Sequence, residues 1–345
     1  MNGRPKHLLT WRLRAATLAL ATVVATGATA CGGDDGETLT IYAGRSSTLV
    51  GPLLERFADE SGINVRVRYG DGTDLALGIL EEGDNSPADV YFGQDVGAFG
   101  ALKAEGRLAE LPQSVLARVA PAFRSPDGVW VGISGRQRVI VYNTDEIEPT
   151  TLPASILDYT APEWRGRLGL VPRSDGFPEF VTALRLTRGD DFARQWLADL
   201  KSNSPIAYPN NISALTAVAN GEIDVAFLNH YYLFRFLAEE GEGFKARNYY
   251  FQDGDIGGLF LVAAAGVLNT SGNREAAELF IEFLLSEEAQ AYFNLETHEY
   301  PLIDGIATAD ELQPLSEIDP PAIDLSDLTD LEGSLDLMRE TGILP

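Results

Sequence analysis

The sequence predicts an α/β fold with two lobes and a cleft between them. Two series of alternating strand-like and helix-like segments follow one another, the first over residues 38–141 and the second over residues 167–293. The chain has 345 residues, which suits about two domains, and its 45% hydrophobic and 22% charged residues are typical of a globular protein. Ligands of open α/β sheets lie beyond the carboxyl ends of the strands, so the cleft is the expected binding site.

The first series is a βαβαβ pattern, which predicts a mainly parallel sheet. Strand-like runs cover residues 38–43, 63–69 and 88–92, and the second of these alternates apolar and polar side chains. Helical spacing of apolar residues covers residues 49–60, 75–82 and 98–105. Residues 129–141 then contain two strand-like runs around Gly135 and Arg136.

The second series repeats this alternation. Its predicted strands are residues 167–171, 223–228 and 257–267, and its predicted helices are 178–188, 190–202, 213–220, 231–240, 274–286 and 288–293. Asn210 or Asn211 is the expected cap of the helix at 213–220. The tail from residue 310 is acidic, and the spacing of its leucines predicts an amphipathic helix.

The N-terminus has the features of a secretory signal. Four Lys and Arg residues and no acid precede an apolar run that ends at residue 30 and is too short and too rich in Ala and Thr for a membrane-spanning helix. Cys31, the only cysteine, follows directly and resembles the lipidated cysteine of bacterial lipoproteins; the alternative is an ordinary buried cysteine. We expect a signal peptide over residues 1–30, a tether over 31–37 and a body anchored outside the cytoplasmic membrane.

Composition argues against several function classes. The net charge of −25 argues against nucleic acid as a partner, because phosphate binding needs clustered Lys and Arg. One cysteine excludes a disulfide framework and a Cys-based zinc site. A Gly-x-Ser-x-Gly elbow is absent from the sequence and histidines number three, so an enzyme would depend on carboxylates alone. We therefore expect a binding protein and not an enzyme such as an extracellular hydrolase.

One stretch carries a family resemblance. Residues 224–233, with Asn229, Tyr231 and Tyr232, resemble the tyrosine-pair motif of bacterial ferric-iron-binding proteins, the substrate-binding components of iron ABC importers. Stretches at 41–45, 87–95, 131–136, 141–143, 208–211, 278–286 and 299–302 agree in the same order. The resemblance implies a type II periplasmic-binding-protein fold with a hinge, Fe³⁺ as the transported ligand, and an ABC permease with its ATPase as partners of a monomeric, membrane-anchored lipoprotein.

The resemblance also implies domain boundaries. Lobe 1 would comprise residues 38–134 and 258–310, and lobe 2 residues 135–257. A C-terminal helical segment would follow over residues 311–345.

The chemistry of the two tyrosines suits ferric iron. A phenol ionises near pH 10, and a bound cation lowers that pKa sharply. Tyr231 and Tyr232 follow a predicted buried strand and open a helix, where free N–H groups and the helix dipole favour negative charge. The alternative is a pair of core aromatics, although helical neighbours lie about 100° apart and do not easily share one core.

The resemblance assigns anion-binding residues as well. Arg45 matches a position that holds a synergistic anion such as carbonate, with a surface salt bridge as the alternative. Asn211 and Asn229 match positions that hydrogen-bond to the anion or to a tyrosine ligand, although Asn211 could equally cap a helix. Ser174 and Gly176 loosely match a loop that holds phosphate in some relatives.

The sequence departs from the family pattern at two positions. Ser46 stands where some members have a histidine, and the loop at 172–177 lacks a third tyrosine. Asp175 could replace that phenolate, and Asp95 could supply a further carboxylate or cap a helix. Otherwise an exogenous anion and water complete the coordination sphere, or the ligand is a small organic or anionic solute, such as a phosphonate or thiamine, instead of iron.

Overall fold

Strands and helices alternate along the chain as the sequence predicts. The computed structural model describes residues 38–174, 176–309 and 312–344; the predicted signal peptide, the tether and Cys31 lie outside this part. Its strands are β1 (Thr38–Ala43), β2 (Asn64–Tyr69), β3 (Val90–Gly93), β4 (Val131–Asn143), β5 (Leu168–Leu170), β6 (Ile206–Ala207), β7 (Val225–Asn229), β8 (Ala246–Tyr249), β9 (Phe260–Val267) and β10 (Tyr300–Pro301). Its α-helices are α1 (Ser47–Ser61), α2 (Gly72–Glu82), α3 (Gly97–Ala104), α4 (Gln113–Leu116), α5 (Phe177–Arg188), α6 (Asp190–Ser202), α7 (Asn211–Ala219), α8 (Tyr231–Glu240), α9 (Arg274–Leu284), α10 (Glu287–Leu295) and α11 (Leu331–Glu340).

The strands form one mixed sheet in the order β2-β1-β3-β9-β4-β7-β5-β6, with β8 and β10 also paired to β4. β1 lies parallel to β2 and β3, and β5 lies parallel to β6 and β7. β9 and β4, however, run antiparallel to their neighbours. The predicted parallel pairing is confirmed for β1, β2 and β3. It is wrong for the sheet as a whole, because the antiparallel strands β4 and β9 join the two parallel groups.

β4 joins two portions of this sheet. Residues 131–137 pair with β9, whereas residues 138–143 pair with β7 and β8. The two separate strands predicted around Gly135 are wrong. The strand runs straight through this glycine, and a Cβ there would lie 2.2 Å from Cζ of Phe260, so the glycine serves close packing and not a turn. We call β1, β2, β3, β9, β10 and residues 131–137 the first sheet portion, and β5–β8 with residues 138–143 the second.

The carboxyl ends of strands from both portions converge on the middle of β4. Asn229, the last residue of β7, pairs with Arg138 of β4. Gly93, the last residue of β3, pairs with Ala264 of β9, which itself pairs with Gly132 of β4. The loops that follow β1, β3, β5 and β7 can therefore meet there, as the position of binding sites in open α/β sheets requires.

Apolar faces and caps hold the helices on the sheet. α1 buries Val50, Leu53, Leu54 and Phe57 and ends at Gly62, whose φ of 69° is the left-handed conformation of a helix C-cap. In α7 the cap is Asn210, whose side chain accepts a hydrogen bond from the Ser213 N–H. None of the described helices combines the length and apolar character that crossing a membrane requires.

The C-terminal tail is only partly helical. The predicted amphipathic helix is found as α11, whereas Leu325–Asp327 forms a short 3₁₀ turn. Leu325, Leu328, Leu337 and Met338 are buried in the main core, so the leucine pattern reflects burial along the whole segment.

Candidate metal and anion site

The middle of β4 carries an unusual run of buried polar side chains. Arg136 and Arg138 are each 1% exposed, and Gln137 between them is fully buried. A buried guanidinium is costly unless it is paired. Nη1 of Arg136 donates to the backbone oxygen of Gln94, but its Nε and Nη2 have no hydrogen-bond partner among the described residues. Such buried cationic donors point to an anionic ligand.

Arg138 is fixed by the strand beside it. Its Nη1 donates to Oδ1 of Asn229 over 3.0 Å and its Nη2 to the backbone oxygen of Phe227 over 2.8 Å. Its guanidinium also lies over the Phe227 ring, 4.1 Å from the centroid. Burial lowers the pKa of Arg138 to about 9, so the group remains charged at pH 7. Asn229 therefore orients a buried cation.

Tyr231 and Tyr232 lie together at the start of α8, directly after β7. Tyr231 is buried, Tyr232 is half-buried, and their ring centroids are 4.3 Å apart with an interplanar angle of 32°. Burial raises the pKa of Tyr231 well above its ordinary value, with Tyr232 and Glu299 adding to the rise and Arg136 opposing it. Without a cation beside it, this phenol keeps its proton at pH 7.

Arg45 forms a buried ion pair with Glu299. Nη2 of Arg45 lies 2.6 Å from Oε2 of Glu299, and Nη1 donates to Oε1 of the same carboxylate over 3.1 Å and to Gln94 over 2.8 Å. The two side chains are 0% and 2% exposed. Among the described residues, only Nε of this guanidinium lacks a partner.

Glu299 is held by more than Arg45. Its Oε2 also accepts hydrogen bonds from the hydroxyls of Ser134 and Thr297, each over 3.1 Å. Burial alone would raise the pKa of Glu299, but the charge and hydrogen bonds of Arg45 lower it below its ordinary value. The carboxylate is thus ionised and fixes the position of Arg45.

The other predicted residues occupy varied positions around this centre. Oδ1 of Asp95 accepts from the N–H of Gly97, the first residue of α3, and so closes a turn directly before that helix. The hydroxyl of Ser174 donates to the Val171 backbone oxygen. Asn211 is buried, and its Oδ1 has no partner among the described residues. Asp175 lies outside the described residues.

Gly176 brings backbone close to the buried arginine. A Cβ at this position would lie 3.0 Å from Nη1 of Arg138 and 3.1 Å from Oδ1 of Asn229, and its φ of 104° also favours glycine. Gly176 therefore lies within contact distance of two groups at the site. Asp95, Ser174 and Gln94 line a cavity of about 250 Å³.

His230 is adjacent to the tyrosine pair in sequence, but its ring nitrogens contact backbone groups. Its Nδ1 accepts from the Gln137 N–H over 3.1 Å, and its Nε2 lies 2.9 Å from the His298 backbone oxygen. Burial lowers the pKa of His230 to about 4, so the ring is neutral at pH 7 and both its nitrogens are engaged. Within residues 38–174, 176–309 and 312–344, no group of three His, Cys, Asp or Glu side chains could hold a metal ion.

Three residues of this site were missed by the sequence reasoning: Arg136, Arg138 and Glu299. The available signal is the spacing of Arg136 and Arg138, two residues apart within the largely apolar segment 129–141. Side chains two apart on a strand lie on one face, so this spacing could have indicated a buried cationic face.

Comparisons with known proteins identify the family of this chain. Residues 85–323 match the family model described as bacterial extracellular solute-binding protein. The chain belongs to this family. The major ferric iron-binding protein of Neisseria meningitidis serogroup A is 33% identical over 336 residues, which are 96% of this chain and 98% of that protein. The Fe(3+)-binding periplasmic protein of Serratia marcescens is 32% identical over 331 residues, covering 95% and 97%.

A solved structure supports the same assignment. The crystal structure of iron-bound HitA from Pseudomonas aeruginosa superimposes with a TM-score of 0.84 and 38% identity, over 89% of this chain and 99% of that one. Together these matches confirm the resemblance to ferric-iron-binding proteins, the type II fold and the prediction of a binding protein instead of an enzyme.

Proposed function

We propose that this protein binds a ferric ion between its two sheet portions, through the phenolate oxygens of Tyr231 and Tyr232, and delivers it to an ABC permease. The observation that carries the proposal is the pair of phenol rings, 4.3 Å apart at the start of α8 and next to buried guanidiniums. The names of the Neisseria and Serratia relatives support iron as the ligand.

Burial of Tyr231 favours a hard cation of high charge. Because burial raises the pKa of Tyr231, only a strongly bound cation can replace its proton at neutral pH. The positive charges of the surrounding arginines repel such a cation. An anion bound together with the metal would offset this repulsion.

The anion in this proposal is a planar or tetrahedral oxyanion such as carbonate. A guanidinium recognises such an anion through parallel N–H groups, and Arg136 has Nε and Nη2 without a partner among the described residues. Arg45 can add its Nε. Asn211, Asn229, Ser174 and Gly176 remain the proposed polar contacts to anion or ligand, and Asp95 and Asp175 the proposed carboxylates.

The two sheet portions would then be lobes that close on the ion. The boundaries expected from the sequence, with lobe 1 over 38–134 and 258–310 and lobe 2 over 135–257, are supported by the change of β4 partners between residues 137 and 138. β4 and β9 would then act as the hinge, and ligand would favour the closed state by contacting both lobes.

The proposed location is the outer face of the cytoplasmic membrane. Residues 1–30 would be removed as a signal peptide, Cys31 would carry the lipid, and residues 31–37 would be the tether. The folded body would meet its permease and ATPase as a monomer. The word periplasmic in the name of the Serratia relative supports this compartment.

A visible absorption titration tests the proposal, because ferric–phenolate charge transfer absorbs visible light. Purified protein is titrated with ferric citrate, with and without bicarbonate. We expect a saturable band at one equivalent of iron that requires bicarbonate and that disappears in a Tyr231→Phe/Tyr232→Phe variant. Tyr69→Phe, which changes an exposed tyrosine at the end of β2, is the matched control and should keep the band.

The buried arginines also suit a second candidate ligand, a small anionic solute bound without iron. Absence of a band, with an unchanged melting temperature on addition of iron, would contradict the ferric proposal. Thermal stabilisation by a phosphonate or another organic anion would then support the second candidate.

A further inference from the structure

The C-terminal strap, residues 325–344, spans both sheet portions. The 3₁₀ turn Leu325–Asp327 packs on α3, which follows β3 of the first portion. α11 then packs on α5 and α6, which follow β5 of the second portion. The strap is therefore a connection between the portions that is separate from β4 and β9.

The contact with α3 is close-packed. Gly97 and Gly100 lie one turn apart on α3 and face the strap. A Cβ on Gly100 would lie 2.3 Å from Cγ2 of Thr329, and one on Gly97 would lie 3.4 Å from the Leu328 backbone oxygen. Leu328 is 1% exposed. Glycine at both positions allows the strap backbone to lie directly on the helix.

The contact with α5 is built from charged and buried hydrogen bonds. Nη2 of Arg185 donates to Oδ2 of Asp330 over 2.8 Å, and its Nη1 donates to the hydroxyl of Ser334 over 3.0 Å. That hydroxyl, fully buried, lies 2.8 Å from the hydroxyl of Thr182. α11 also packs on both α5 and α6 and buries Leu337 and Met338, so this end of the strap is the better anchored.

The strap also lines a cavity beside the candidate site. Leu331, Leu335 and Arg339 of α11 line the cavity of about 250 Å³ that contains Gln94. Gln94 accepts hydrogen bonds from both Arg45 and Arg136. A movement of the strap therefore changes the surroundings of a residue that contacts two arginines of the site.

We propose that the strap is a latch on the closed state: it stays on α5 and must leave α3 when the two sheet portions separate. The inference rests on the lobe closure of the proposed function. Its consequence is that the Leu328–Thr329 contact with α3 slows opening and hence slows ligand release, whereas the tyrosine pair determines whether iron binds.

Gly100→Ala is the variant that tests the latch. Alanine favours the helix over glycine, so α3 itself is not weakened, but the new methyl group displaces Thr329. We expect iron release to an excess chelator, followed as loss of the visible band, to be about tenfold faster at unchanged stoichiometry, since contacts of this kind act mainly on dissociation rates. Gly100→Ala/Thr329→Gly should return the rate towards that of the wild type.

Two further variants complete the test: a control away from the contact, and a second variant that weakens it. Gly78→Ala, in α2, places its Cβ 3.9 Å from its nearest neighbours and should release iron at the wild-type rate. Leu328→Ala weakens the same contact by removing apolar atoms without a clash and should also accelerate release. A wild-type rate in both Gly100→Ala and Leu328→Ala would overturn the latch while leaving the ferric site intact.

An iron-free measurement separates the latch from the ferric proposal. Small-angle X-ray scattering of iron-free Gly100→Ala should give a larger radius of gyration than the wild type, whether or not the protein binds iron. An identical radius of gyration would contradict the latch. Absence of a visible band in the wild type would instead contradict the ferric site alone.

Discussion

Three guanidiniums lie buried around the tyrosine pair, and each is held by different neighbours. Arg45 is paired with Glu299, and Arg138 is bonded to Asn229 and the Phe227 backbone. Arg136 is bonded to the backbone of Gln94, and two of its nitrogens have no partner among the described residues. Arg136 is therefore the residue that we expect to contact the anion most directly.

Replacing Arg136 tests this assignment. Charge-assisted hydrogen bonds are worth roughly 1.5–3 kcal/mol each, so Arg136→Gln should need at least about tenfold more bicarbonate to develop the ferric band. Arg66→Gln, an exposed change on β2, is the control. An unchanged bicarbonate requirement in Arg136→Gln would place the anion elsewhere.

The ionisation of Glu299 leads to a prediction about the stability of the fold at acidic pH. Its folded-state pKa lies below the ordinary value of 4.5, so between these two values the unfolded chain binds more protons than the folded one. The stabilisation is complete above pH 4.5 and is lost as the pH falls through the folded pKa. Denaturant unfolding of wild type and Glu299→Gln at a series of pH values measures this contribution.

We expect Glu299→Gln to be less stable at pH 7 by about 3 kcal/mol, because it removes one charge of a buried pair. The same variant should lose less stability than the wild type between pH 5 and the acid limit. Equal losses for the two proteins over that range would contradict the folded-state ionisation described here.

At the scale of elements, local patterns predict what lies within one segment. The apolar run before Tyr231 and the helical spacing after it predict β7 and α8, and so the position of the tyrosine pair. They cannot predict the Arg45–Glu299 pair, whose members are 254 residues apart. They also give the wrong interpretation of Gly135, because the sequence does not distinguish a glycine that allows close packing against Phe260 from a glycine in a turn.

Two neighbouring asparagines at the N-terminus of α7 differ in role: Asn210 caps the helix, and Asn211 is a proposed binding residue. Asn210 caps the helix through the Ser213 N–H over 2.8 Å, so Asn210→Ala should lower the free energy of unfolding by about 1 kcal/mol with iron affinity unchanged. Asn211→Ala should weaken iron binding more than it lowers stability. Thermal unfolding and the visible titration, performed on both variants, distinguish the two roles; equal effects on affinity would contradict this division.

At the scale of the whole molecule, the alternation of strands and helices predicts the fold class but not the sheet. Each βα unit is local, whereas the pairing of β4 with β9 and then with β7 depends on chain segments more than 80 residues away. The sheet is consequently mixed, and one continuous strand reaches from one portion to the other. The site lies where that strand changes partners.

Closure on iron should be visible in the whole molecule. Iron with bicarbonate should decrease the radius of gyration measured by small-angle scattering and raise the melting temperature, since ligand at about 100 times its Kd stabilises a protein by roughly 2.7 kcal/mol. Tyr231→Phe/Tyr232→Phe should give neither change. An iron-dependent compaction in that double variant would mean that iron acts at another site.

The most direct measurement is a crystal structure of the iron-loaded protein, with diffraction data collected on both sides of the iron absorption edge. We expect one anomalous iron peak in direct contact with the phenolate oxygens of Tyr231 and Tyr232, and an oxyanion between that iron and Arg136. An iron peak away from the tyrosine pair, or a crystal of saturated protein with no iron at the pair, would contradict it.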